Sequence, residues 1–342
     1  MYNCQTIYFR KPALFVLFDE MQLDACFLAN EGNRRLRSNL FIAMIRLWQK
    51  RDISPDALTI QRQIAMIAQR FFPSQGRALM TELQTIDHLL QGDKLHDALK
   101  ALGLPAFDMI DWQQTTDSTN DDCKLWANRG AVHALSISNQ QRAGRGQSNR
   151  IWQSPTGNLY LSLLTTLTTP LDGRLALEVA LALLNVPMLS NLNLSVKWPN
   201  DLYADGAKWG GILIEPIHSQ NIASGAIIGV GVNLLPMQEL VDDRKVTDLG
   251  VLLGSDFDRF QLTVEVIQAL HQAVQTFEQN CPDLQARYLK VDALANKTIQ
   301  ITQPDQSLKH ARAYGIADDG SLQIQTNLGM ERLYGGQVSV VE

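Results

Sequence analysis

The chain has 342 residues, a net charge of −5, 45% hydrophobic residues and 19% charged residues. That length allows two or three domains, and that balance excludes global disorder because it can build a sizeable core. The charge gives no chain-wide reason to expect nucleic acid. It is uneven, however: residues 1–105 hold 13 Lys/Arg against 10 Asp/Glu and the remainder 17 against 25, the pattern of a basic module joined to an acidic one.

Residues 1–105 read as mainly helical after a poorly patterned start. The most apolar stretches there, Pro12–Phe18 and Leu40–Trp48, are too short to span a bilayer. No basic, apolar and small-residue segments follow in the order of a secretion signal. Leu40, Ile42, Ala43, Ile45, Arg46 and Leu47 mix apolar and basic residues at helical spacing. Ser54-Pro55-Asp56 starts a helix, which Ile60, Ile64, Ile67, Ala68 and Phe71 continue as far as Pro73. Further helices are expected over Gly76–Leu90 and Lys94–Leu102, before Gly103 and Pro105 punctuate a boundary.

From about Ile110 the texture changes. Short apolar or alternating runs predict strands at Ala134–Ser138, Leu159–Leu164, Leu194–Trp198, Gly211–Ile214 and Ala226–Val232. Helices are predicted over Arg174–Leu189 and Arg259–Glu278, so the class is α+β, or mixed α/β. After about Asp292, Thr298–Ile301 and Leu322–Gln325 alternate, Asp318-Asp319-Gly320 is a hairpin signal and Val338–Val341 is a final strand. The expected domains are 1–105, 106–290 and a small β-barrel at 291–342. The cysteines, Cys4, Cys26, Cys123 and Cys281, are scattered without zinc-site spacing and suit a reducing cytoplasm.

Three segments carry chemistry. Asp117-Ser118-Thr119-Asn120 precedes the amphipathic run Lys124–Ala127. Its hydroxyl and amide groups suit a helix N-cap, and equally a pocket wall that bonds a neutral polar ring. The run Gln141–Trp152 places Arg145 between Gly144 and Gly146. Such a loop lets backbone approach a phosphate and offers a guanidinium fork to a carboxylate or phosphate, although a solvated loop has the same composition. It matches neither the P-loop nor the dinucleotide fingerprint. In Val196–Glu215, Pro199 stops a strand, Asn200 and Asp201 sit on the turn, and Asp205-Gly206 makes a hairpin that returns Lys208 beside the Lys197 strand. Lys208 then stands at the mouth of an apolar pocket, or is merely an exposed lysine.

Taken in this order and spacing, the segments resemble the biotin protein ligases. The matching elements are DSTN at 117–120, Q-x-AGRG at 141–146 with Trp152 downstream, PTGNLYLS at 155–162, KWPNDL at 197–202, K-x-x-G at 208–211 and GVGVN at 229–233. The resemblance covers roughly residues 110–342 and implies the biotin/lipoate ligase catalytic fold followed by an SH3-like barrel. It implies two steps: biotin and Mg-ATP form biotinyl-5′-AMP, and the acyl group then passes to a lysine of a biotin carboxyl carrier protein, such as that of acetyl-CoA carboxylase. Carboxylate and α-phosphate are both negative, so fixed cations must bring them together, and Lys208 and Arg145 fit that role. By the same resemblance, Ser118, Thr119, Asn120, Gln141, Arg145, Gly146, Gln147, Trp152, Lys208 and Gly211 bind biotin. Arg145, Arg150, Lys197, Asn200, Asp201 and Asn233 then serve the nucleotide, with Asp201 near Mg²⁺. It further implies a homodimer or a docked carrier formed through edge pairing of the Gly211–Glu215 strand.

Two departures stand out. The family loop reads GRGRxGR, whereas here Gln147 replaces the second arginine and Asn149 the third glycine. Loss of that cation is expected to speed escape of the adenylate. Some relatives carry an N-terminal DNA-binding domain and repress the biotin operon. Residues 1–105 are long enough for one, and Arg34–Arg51 carries six Lys/Arg and no acid, but no recognition helix or wing is evident. Competing readings are a lipoate or octanoate ligase, and a biotin-sensing repressor.

Overall fold

A computed structural model describes residues 91–236, 245–254, 256–302 and 307–341. The expected elements before residue 91 and the basic run Arg34–Arg51 fall outside them. A helix, α1, occupies residues 91–101. It buries Leu95 and Leu99 in the same core as the strands that follow, so the segment ahead of Pro105 packs with the catalytic fold.

The central sheet has seven strands in the order β1-β2-β3-β7-β6-β5-β4. These are Met109–Gln113, Ala134–Ser138, Leu159–Thr166, Leu194–Lys197, Asp201–Ala204, Ala207–Ser219 and Ile222–Val232 for β1 to β7. Only β1 and β2 run parallel; β2-β3-β7-β6-β5-β4 is antiparallel throughout. All of β2 and the first six residues of β3 are buried on both faces, Ser136, Ser138 and Ser162 included.

Helix α2, Thr119–Asn128, packs Cys123 and Ala127 on one face of the sheet with Ile217, Ile222 and Ile227. The larger cluster holds α3, Arg174–Leu184, and α5, Arg259–Glu278, with Leu177, Leu181, Ile267 and Leu270 buried. The single helix expected over Arg174–Leu189 ends at Leu184 and is followed by a 3-10 turn, Pro187–Leu189. Pro187 lacks the N–H that would continue the ladder, so the chain turns there. Short helices α4, Leu249–Leu253, and α6, Leu284–Leu289, complete the layer.

The C-terminal strands β8 to β12 (Thr298–Thr302, Leu308–Ile316, Leu322–Thr326, Gly329–Leu333 and Gln337–Val340) form an antiparallel sheet in the order β11-β10-β9-β8-β12, consistent with an SH3-like fold. It touches the catalytic domain at a turn of interest: the Trp198 indole N–H donates to the Gly320 carbonyl at 2.9 Å. No helix among the described residues is long and apolar enough to cross a membrane.

Candidate active site

A cavity of about 550 Å³ opens on the α2 side of the sheet. Ser118, Thr119, Asn120, Gln141, Arg145, Gly146, Gln147, Arg150, Trp152, Asn200, Asp201, Lys208, Gly211 and Asn233 all line it. Segments more than a hundred residues apart in sequence therefore meet at one place, because β3, β6 and β7 are adjacent and α2 lies across them.

One end is a chain of neutral polar groups. The Ser162 hydroxyl lies 2.7 Å from Thr119 Oγ1 and 2.6 Å from Asn120 Oδ1. Gln141 Oε1 accepts from the Thr119 backbone N–H at 3.0 Å and from its hydroxyl at 3.2 Å, and Gln141 Nε2 donates to Ser154 Oγ at 3.1 Å. Asn120 Nδ2 donates to Glu215 at 2.6 Å. Ser118 is the N-cap residue of α2 by position, but its hydroxyl makes no cap hydrogen bond. It is buried at the cavity wall instead.

The floor is bare backbone. Gly211 of β6 pairs with Gly231 of β7, and the Trp152 indole lies over both. A Cβ on Gly231 would sit 2.7 Å from the ring, and one on Gly229 would collide with Asn120 Oδ1. The alternation of glycine in GVGVN is the period-2 signal of this floor, since positions 229 and 231 share one face. The Trp152 indole nitrogen is buried without a partner.

The other end is charged. Lys208 Nζ pairs with Asp201 and lies 4.8 Å from the Trp152 ring centroid. The Arg145 guanidinium forms a fork on Asp121, at 2.6 and 2.7 Å, and reaches Glu215 at 3.4 Å. Asp121 and Glu215 belong to none of the motifs and reach the site only through the fold.

Lys197 is the exception among the expected site residues. It does not line the cavity, and its ammonium lies 5.6 Å from the Tyr203 ring centroid. The expectation that Lys208 returns beside the Lys197 strand is corrected: β5 lies between them, pairing Tyr203 with Lys208, so Asp201 rather than Lys197 is the partner of Lys208. Two lining residues also do structural work. Asn200 Nδ2 donates to the Ile212 carbonyl at 2.6 Å, and Asn233 Nδ2 donates to the Thr247 carbonyl at 3.1 Å. Gly211–Glu215 is not an edge in full: β7 pairs its whole length, whereas β5 reaches only to Gly211.

Residues 106–233 match the Biotin/lipoate A/B protein ligase family, and 295–341 match the Biotin protein ligase C terminal domain. The chain carries the catalytic and C-terminal domains of the biotin protein ligase family. The bifunctional ligase/repressor BirA of Salmonella typhimurium is 29% identical over 279 residues, covering 78% of this chain and 82% of that protein. The biotin–[acetyl-CoA-carboxylase] ligase of Mycobacterium tuberculosis is 28% identical over 255 residues, covering 71% and 92%. The biotin protein ligase of Aquifex aeolicus, solved in complex with biotin and ATP, superposes with a TM-score of 0.57 at 23% identity over 69% of this chain and all of that one, which bears on the fold. The expected α+β catalytic fold with its small C-terminal barrel is therefore the biotin protein ligase arrangement.

Proposed function

We propose that the chain is an ATP-dependent biotin–[acetyl-CoA-carboxylase] ligase. The observation that carries this reading is a single cavity with a neutral polar end at Ser118–Asn120 and Gln141, a glycine floor covered by the Trp152 indole, and a cationic end at Lys208. A neutral bicyclic ring ending in an apolar chain and a carboxylate matches that sequence of surfaces. The match of the C-terminal domain favours biotin over lipoate, which the catalytic family model alone leaves open.

In the first step a biotin carboxylate oxygen attacks the α-phosphorus of ATP. An O–P bond forms, the bond to the β-phosphate oxygen breaks and pyrophosphate leaves. Lys208 holds the two anions together, and Arg145, Gly146 and Gln147 cover the product, excluding water from a mixed anhydride. In the second step a carrier lysine amine attacks the acyl carbon. A C–N bond replaces the C–O bond, AMP leaves and the amine loses a proton. Asp201 fits Mg²⁺, because that ion takes one or two carboxylates and fills its shell with phosphate oxygens and water. When bound, Mg²⁺ supplies charge neutralisation at the phosphates. Asn200, Asn233 and Arg150 line the same cavity, and in this reading they serve the nucleotide.

We place the enzyme in the cytoplasm, with the residues ahead of α1 as an accessory region and 291–342 as a barrel bracing the Trp198 turn. A homodimer or docked carrier would use the β6 edge beyond Gly211. The test is incubation with biotin, Mg-ATP and an apo carrier domain, followed by intact-mass measurement. Gain of one biotinyl group supports the reading; gain from lipoate instead of biotin rejects it.

A second reading, biotin-responsive repression, is favoured by the relative named ligase/repressor and by the basic run Arg34–Arg51. Retention of operator DNA that depends on biotin and ATP would support it. Absence of retention with intact carrier labelling would reject it.

A further inference from the structure

Arg145 is held between two acids that no motif names. Asp121 grips both terminal nitrogens in a bidentate fork, and Glu215 stands on the other side. Such forks fix geometry as well as charge. Asp121 is the third residue of α2 after its N-cap Ser118. An acid at that position ordinarily turns back to the N-cap N–H while the serine hydroxyl caps forward. Here the Ser118 hydroxyl makes no cap bond and Asp121 is turned to the loop.

The same stretch of loop is tied to the same helix start at other points. Arg142 N–H donates to the Thr116 carbonyl at 2.9 Å, and Ala143 N–H to the Asp117 carbonyl at 2.8 Å. The Arg142–Asp117 ion pair is two-thirds exposed and contributes little. The Asp121–Arg145 pair is more sheltered, with Arg145 29% exposed. The Arg145 guanidinium holds the Asp121 carboxyl below the usual carboxylate range. A guanidinium flanked by two carboxylates presents no net positive charge to an incoming anion.

We infer that Asp121 is a positioning residue that clamps Arg145, and with it the 144–150 loop, over the cavity, so that Arg145 serves to close the site more than to attract the substrate's charge. This rests on the adenylation reading for its effect on biotin, but the clamp itself is testable without substrate.

The experiment compares the full chain with Asp121→Asn and Asp121→Glu. Limited trypsin digestion of the ligand-free proteins, read by mass spectrometry, reports cutting after Arg145 and Arg150. Biotin-dependent pyrophosphate release gives KM and kcat separately. Asp121→Asn is expected to be cut faster in the loop and to raise KM for biotin about tenfold, the scale of one charge-assisted pair, with a smaller change in kcat. Asp121→Glu should recover most of both. Unchanged loop cutting overturns the clamp, as does a fall in KM, which would mean that a freed guanidinium attracts biotin's carboxylate. If the wild type releases no pyrophosphate with biotin, the adenylation reading fails while the digestion still decides the clamp.

Discussion

Trp152 lies on Gly231 so closely that a Cβ there would come within 2.7 Å of the indole. The ring also covers Gly211, the cross-strand partner of Gly231, and carries Lys208 Nζ 4.8 Å from its centroid. One indole thus links the floor of the cavity to its cation. Gly231→Ala must push the ring into the cavity or out of it. Overpacking of this kind costs about 1–3 kcal/mol. The variant is expected to fold with a lowered melting temperature and to bind biotin at least about tenfold more weakly by calorimetry. Unaltered binding would mean that biotin does not rest on Trp152.

Lys208→Ala removes the cation closest to Trp152 while leaving the strand pairing intact. Loss of a preorganised electrostatic group of this kind slows chemistry by about 10²–10³-fold. Single-turnover formation of biotinyl-AMP should fall by that order, with far-ultraviolet dichroism unchanged. A loss smaller than about tenfold would move the cationic role elsewhere.

Gln147 lines the cavity at a position where the family loop carries arginine. Gln147→Arg is expected to slow dissociation of biotinyl-AMP about tenfold, the scale of one added charge-assisted contact. Stopped-flow or filter-binding release measures it, and unchanged release would show that the neighbouring Arg150 already supplies the needed charge.

Two buried groups give opposite pH signatures in stability. Burial pushes the Asp292 carboxyl up from the usual value to about 6, and its Oδ2 has no partner. The folded chain therefore binds that proton more tightly than the unfolded chain. The resulting stabilisation is full below the ordinary carboxylate pKa and is lost as pH rises through about 6. Burial, then the neighbouring His133, push His271 down to about 4, so its contribution is present above the ordinary histidine value and is lost as pH falls towards 4. Urea unfolding across that range should show Asp292→Asn gaining on the wild type at neutral pH. His271→Phe should gain on it in acid. A parallel offset at every pH would reject either assignment.

Much of the site was legible because its motifs are short and local: DSTN, the Gly144–Gly146 loop and Lys208 all reach the cavity. β2 and α5 lie at the ends expected from their apolar patterns, β2 as a short strand buried throughout and α5 as a twenty-residue helix. What failed were relations that depend on strand order. Lys197 and Lys208 looked adjacent until the meander placed β5 between them. Asp121 and Glu215 act through contacts across 24 to 95 residues of sequence, which no local pattern announces. The tie from Trp198 to Gly320 spans two domains and has no sequence signature at all.

The most direct measurement is pyrophosphate release from Mg-ATP in a single turnover without carrier protein, with and without biotin. An adenylate-forming cavity predicts a rapid burst of about one equivalent per site when biotin is present, none when it is absent, and loss of the burst in Lys208→Ala. Biotin that binds without releasing pyrophosphate would contradict the account, because the cavity would then hold the ligand without performing the chemistry assigned to it.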